Sequence, residues 1–107
     1  MRAKTDLDAV FHALGDPTRR DILTRLTRGE RSTGVIADDF SLSRPTISKH
    51  LGVLQSAGLV TRRQEGRNQL YAITPAPLAA AHEWLGRYQR FWRMSLARLK
   101  KHLEARR

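Results

Sequence analysis

Two helical stripes separated by three residues constrain this fold more than anything else in the sequence. Ser32 is placed to cap a short helix whose apolar residues are Val35, Ile36 and Phe40. Ser41-Leu42-Ser43 then makes a tight turn, and Ser43 caps the next helix. Pro45 is tolerated there because the N–H it lacks would have no partner in a first turn. Ile47, Leu51 and Leu54 recur at i, i+4 and i+7, which is one buried stripe, and Gly58 ends the helix. Two helices joined this tightly must cross, giving a helix-turn-helix. Directly afterwards Leu59 to Gln64 and Asn68 to Ile73 have strand character around Glu65-Gly66-Arg67. Gly66 supplies the positive φ that a hairpin tip requires. A helix-turn-helix followed by a hairpin is a winged helix.

The flanks read as helices too. Thr5 is positioned to cap a helix carrying Leu7, Val10, Phe11 and Leu14, which Gly15 ends. Asp16 and Pro17 restart the chain as cap and first helical residue of a second helix, with Ile22, Leu23 and Leu26 on its inner face and Gly29 as its stop. Thr74-Pro75-Ala76-Pro77 reads as a break, followed by one long helix from Pro77 to Leu103, about 40 Å at 1.5 Å per residue. Leu78, Leu85, Trp92 and Leu99 are spaced by seven on it, with Ala81, Tyr88, Leu96 and Leu103 alongside. A stripe that outruns a small core calls for another chain. The expectation is a mainly α protein with a small β-hairpin wing, one core over residues 1–107, and a dimerisation helix at 78–103.

Charge indicates the partner. The formal net charge is +10. Residues 1–39 are balanced; residues 40–74 carry Arg44, Lys49, Arg62, Arg63 and Arg67 against Glu65 alone. Residues 75–107 carry eight cations against Glu83 and Glu104. A basic excess on the helix-turn-helix and hairpin fits double-stranded DNA. The residues expected to face it are Ser43, Arg44, Pro45, Thr46, Ser48, Lys49, His50 and Gln55 on the helix. Arg62, Arg63, Gly66 and Arg67 join them from the hairpin. Arg44 can fork to guanine O6 and N7, Ser48 and Lys49 suit bases or phosphates, and the hairpin arginines can grip backbone or minor groove. His50 flanks the apolar stripe and reads as a packed, hydrogen-bonded histidine, with a DNA contact left open. Arg19 and Arg20 read as ion-paired to Asp16 or Asp21, with a phosphate contact as the alternative, and the histidines at 12, 82 and 102 as solvated or interfacial.

The chain resembles the ArsR/SmtB family of bacterial winged-helix repressors. The resemblance rests on Leu14-Gly15-Asp16-Pro17-Thr18-Arg19-Arg20-Asp21-Ile22-Leu23, on Leu42-Ser43-Arg44-Pro45-Thr46-Ile47-Ser48-Lys49-His50-Leu51, and on Leu54-Gln55-Ser56-Ala57-Gly58-Leu59-Val60. Gly66-Arg67 followed by Tyr71 agrees as well. It implies a homodimer through the first and last helices, with Leu7, Val10, Phe11, Leu78, Leu85, Tyr88, Trp92, Leu96 and Leu99 at the interface. It also implies an inverted-repeat operator and repression of the protein's own or a neighbouring promoter. Where metal-sensing members carry Cys-x-Cys, this chain reads Val35-Ile36-Ala37-Asp38; at the last-helix metal positions it reads Ala80, His82, Arg93 and Leu96. The resemblance is therefore to the subgroup without metal sites, and no metal or cofactor is expected.

Other classes are weaker. The chain has no cysteine, so thiol catalysis, thiol redox switching and disulfides are excluded. No phosphate-binding glycine motif or catalytic triad appears, so no enzyme is expected. No apolar run reaches the 18 or so residues of a membrane span, and no secretory signal is seen, so a cytoplasmic protein is expected. A winged helix serving as a protein-interaction module stays open. A basic amphipathic helix on a membrane surface stays open too, but leaves the helix-turn-helix without a role. Trp84, Tyr88, Phe91 and Trp92 read as interface core and would be the place for an effector; the residues specify none.

Overall fold

The computed structural model describes residues 5–106. In chain order these form α1 (Leu7–Leu14), α2 (Pro17–Leu26), β1 (Arg31–Ser32), α3 (Thr33–Phe40), α4 (Arg44–Ser56), β2 (Val60–Glu65), β3 (Asn68–Ile73), α5 (Pro75–Gly86) and α6 (Gln89–Ala105).

Helix starts follow the capping chemistry. Asp16, Ser32 and Ser43 each accept a hydrogen bond from the backbone N–H three residues on. The cap of α1 is Asp6, accepting from Ala9 N at 3.1 Å, rather than the expected Thr5. A carboxylate is the better acceptor beside the positive end of a helix. Between α1 and α2 the structure corrects the reading of Arg19 and Arg20. Their guanidiniums donate to the last carbonyls of α1: Arg19 Nε to Ala13 O at 2.7 Å, Arg19 Nη2 to His12 O at 3.0 Å, Arg20 Nη1 to Leu14 O at 2.8 Å. The chain reverses at Gly15-Asp16, so the first turn of α2 lies beside carbonyls that have no intrahelical partner.

One core joins the helices to the sheet. Val10 and Ala13 of α1, Ile22 and Leu26 of α2, Ile36 of α3, and Ile47, Leu51 and Leu54 of α4 are all buried. Ser41 takes the left-handed conformation (φ 54°) at the end of α3, and Leu42 N donates to Ala37 O across the turn. This 6→1 bond closes α3 and redirects the chain into α4.

The sheet is antiparallel in the order β1-β3-β2. The hairpin runs from Val60 opposite Ile73 to Glu65 opposite Asn68, leaving Gly66-Arg67 as a two-residue turn. Gly66 has φ 59°, and Arg67 stays at negative φ, the II′ arrangement in which glycine leads. The third strand, β1, has no counterpart in the sequence reading: Arg31 faces Tyr71 and Ser32 faces Leu70. Two residues carry too little alternation to announce a strand.

The C-terminal segment differs from the expected single helix. It begins at Pro75 and divides at Arg87-Tyr88 into α5 and α6. Arg87 N and Tyr88 N donate to Trp84 O and Leu85 O, one residue tighter than an α-turn. Gly86 weakens the helix there, while Trp84 contacts Phe11 of α1 edge-on (5.6 Å) and Tyr88 (5.2 Å). Helix α5 thus stays on α1. Helix α6 buries no residue and carries Trp92, Leu96, Leu99 and Leu103 exposed.

Candidate nucleic-acid interface

The outer face of α4 is set by its stripe. With Ile47, Leu51 and Leu54 at 0% exposure, the residues between them turn outward. Arg44, Pro45, Thr46, Ser48, Lys49 and Gln55 are all exposed. Ser43 and Thr46 are partly engaged with each other. The Ser43 Oγ accepts from Thr46 N at 3.3 Å and shares a 2.8 Å hydrogen bond with its hydroxyl. This pair stiffens the N-terminal end of α4.

Arg44 and Ser48 open onto a cleft of about 390 Å³ between α3, α4 and the hairpin. Its other walls include Thr33 and Gly34 at the start of α3 and Arg67, Asn68 and Gln69 at the tip of the hairpin. The structure therefore brings the expected reading helix and the hairpin tip to one surface. Among the described residues, Arg44, Lys49, Arg62 and Arg67 have no carboxylate within ion-pair distance.

Two of the expected residues already have partners within the protein. Arg63 is committed to carboxylates: Nε and Nη2 donate to Glu30 at 2.8 and 2.7 Å, and Nη2 lies 2.9 Å from Glu65. This fork ties the hairpin to the segment before β1. The bond holds the Glu30 carboxyl below the usual carboxylate range and raises the arginine. Charge counting along the sequence could not separate Arg63 from its free neighbours, because Glu30 is 33 residues away. His50 is half-buried and turned toward α2, with Nδ1 3.5 Å from Arg19 Nη1.

Sequence reasoning missed the clamp that orients α3. Asp39 lies 3.4 Å from Arg25 of α2 and 3.6 Å from Arg31 of β1, while the Arg25 guanidinium sits 4.4 Å over the Phe40 ring. Asp39 close behind the cations of residues 25 and 31 was the signal, but only tertiary structure selects those partners. Of the residues expected at a dimer contact, Val10 is fully buried in the protomer's own core and offers no surface. Leu7, Phe11 and Leu78 are half-buried against the core, and Leu85, Tyr88, Trp92, Leu96 and Leu99 are exposed. Among the described residues no three histidine, aspartate or glutamate side chains come together as a metal site, and no helix is long and apolar enough to cross a membrane.

A capped helix with a bare polar outer face, set across a tight turn and flanked by a basic hairpin, defines a winged helix-turn-helix DNA-binding protein. A helix-turn-helix domain family matches residues 14–63. The transcriptional regulator Rv2034 of Mycobacterium tuberculosis is 42% identical over 89 residues, covering 83% of this chain and 80% of that protein. The transcriptional repressor SdpR of Bacillus subtilis is 35% identical over 79 residues, 74% of this chain and 88% of that protein. A solved ArsR family transcriptional regulator superposes with a TM-score of 0.74 at 36% identity, over 81% of this chain and 96% of that one. An ArsR-like regulator from Rhodococcus sp. RHA1 does so at 0.69 and 39% identity, over 89% and 90%. The chain belongs to the ArsR family of winged helix-turn-helix regulators and is a DNA-binding transcriptional regulator.

Proposed function

We propose that two copies of this chain form a symmetric dimer that represses transcription from its own or a neighbouring promoter, without metal sensing at the usual family sites. The observation that carries the dimer is α6. Its stripe of Trp92, Leu96, Leu99 and Leu103 is 59, 62, 53 and 58% exposed in one copy. Isolated exposed leucines are ordinary, but a continuous apolar stripe on a helix that buries nothing marks an interface. Leu85 and Tyr88 extend the stripe toward Leu7 and Phe11 of α1. The two α4 helices of the dimer enter successive major grooves at half-sites about 10 bp apart, in inverted orientation. Arg44 reads a base, while Lys49, Arg62 and Arg67 hold phosphates. Bound over a promoter, such a dimer occludes polymerase; the name of the Bacillus subtilis relative supports repression. Regulation takes place in the cytoplasm, where the promoter is.

The test is a titration against labelled DNA from upstream of the protein's own gene. Fluorescence anisotropy at ~150 mM salt with excess unrelated duplex separates specific from nonspecific binding. The expected result is saturation at two protomers per site that survives the competitor. Binding at one protomer per site would overturn the dimer, and binding erased by competitor would overturn self-regulation.

A further inference from the structure

Gly34 is the second residue of α3, and nothing in its backbone calls for glycine. Its φ is not among the positive values, which fall on Gly29, Gly58, Gly66 and Ser41. Glycine is also a weak helix former. What the position lacks is room. A Cβ there would stand 2.8 Å from Arg44 Nη2, 3.3 Å from its Cζ and 3.5 Å from its Nε. These are its three nearest neighbours, all in one guanidinium, so the missing side chain does not serve close packing of the α3 and α4 backbones. Arg44 has no hydrogen bond or ion pair among the described residues that would hold it there instead. The contact opens onto the cleft that Ser48 and Arg67 also line.

We propose that Gly34 is a positioning residue for DNA specificity, a bare seat on α3 in which the Arg44 guanidinium rests before it meets a base. The inference builds on the reading of Arg44 as the base-contacting residue. A free arginine loses much rotamer freedom when it is fixed on a base. A fork already resting on a helix loses less, and the saving goes to the specific complex. The geometry also says what gives way when the seat is filled. The clashing atoms are the far end of a flexible side chain, so a methyl group displaces Arg44 and leaves the helices in place.

The test uses a duplex selected from a random pool by the wild-type protein, its single-base variants, and an unrelated duplex. Gly34→Ala is expected to bind the selected duplex about threefold to tenfold more weakly. Its preference should flatten at the same base pair that Arg44→Ala affects. Binding to unrelated DNA and the thermal midpoint should not fall. In an Arg44→Ala background, adding Gly34→Ala should change nothing further. Wild-type affinity and preference in Gly34→Ala would overturn the proposal. So would an equal loss in the Arg44→Ala background, or a lowered thermal midpoint, either of which makes the glycine a requirement of the fold. If Arg44→Ala itself leaves the preference intact, the base-reading role fails first and the seat falls with it.

Discussion

Replacing Trp92 with alanine tests the proposed assembly most sharply, because the protomer itself depends little on this side chain. In one copy Trp92 is 59% exposed and its ring partner is Phe91 on the same helix, at 6.0 Å. A tryptophan presents up to about 250 Å², so roughly 150 Å² of this one remains to be covered. At ~25 cal/mol per Å² that is about 3.75 kcal/mol per protomer, and about 7.5 kcal/mol for the two copies of a symmetric contact. Association costs and incomplete coverage reduce this; even half of it weakens the dimer more than about 100-fold. Sedimentation equilibrium at micromolar protein should therefore show Trp92→Ala largely monomeric, with far-UV circular dichroism retaining the helices of the core. Met94→Ala is the control. Met94 is also exposed, at 51%, but lies roughly 200° around the helix from Trp92 and off the stripe. Equal dimer affinity in wild type and Trp92→Ala, or an equal loss in Met94→Ala, would refute the assignment of the stripe to the interface.

Other outcomes follow from the same contacts. Arg67→Ala should weaken specific and nonspecific DNA binding alike and reduce the salt slope of log K by about 1, whereas Arg63→Ala, already bound to Glu30 and Glu65, should change the slope much less. Leu51→Ala, emptying a fully buried site on the inner face of α4, should cost about 2–5 kcal/mol in urea unfolding. Acid should remove two carboxylate contributions. Asp16 is lowered by accepting the Arg19 backbone N–H, and Glu30 is lowered by the Arg63 hydrogen bonds. A carboxylate lowered on folding stabilises the fold above its unfolded value, and this is lost as pH falls through the lowered value. Wild type should thus exceed Glu30→Gln in stability at neutral pH, and the gap should close in urea melts taken below the carboxylate range; a gap independent of pH would remove the ion pair as its cause.

The sequence by itself determined most of the elements and the exposed face of α4. Those features are local. A cap bonds three residues ahead, a stripe repeats every three or four residues, and a two-residue turn needs its glycine, so Asp16, Ser43, Ile47, Leu51, Leu54 and Gly66 declare themselves within one window. Tertiary structure decided what depends on partners far along the chain. It buried Val10, which periodicity could not tell from Leu7 or Phe11. It split the last helix where Trp84 packs on Phe11 beside the weak Gly86. It paired Arg63 with Glu30 and left Arg67 with no carboxylate partner among the described residues, although both are basic hairpin residues in sequence. It also set Gly34 against Arg44, ten positions apart, a contact made only when the turn at Ser41 folds one helix across the other. An arginine's charge is written in the sequence, but whether that charge is spent on a carboxylate, on a helix end or on DNA is settled by distance, and distance is a property of the fold.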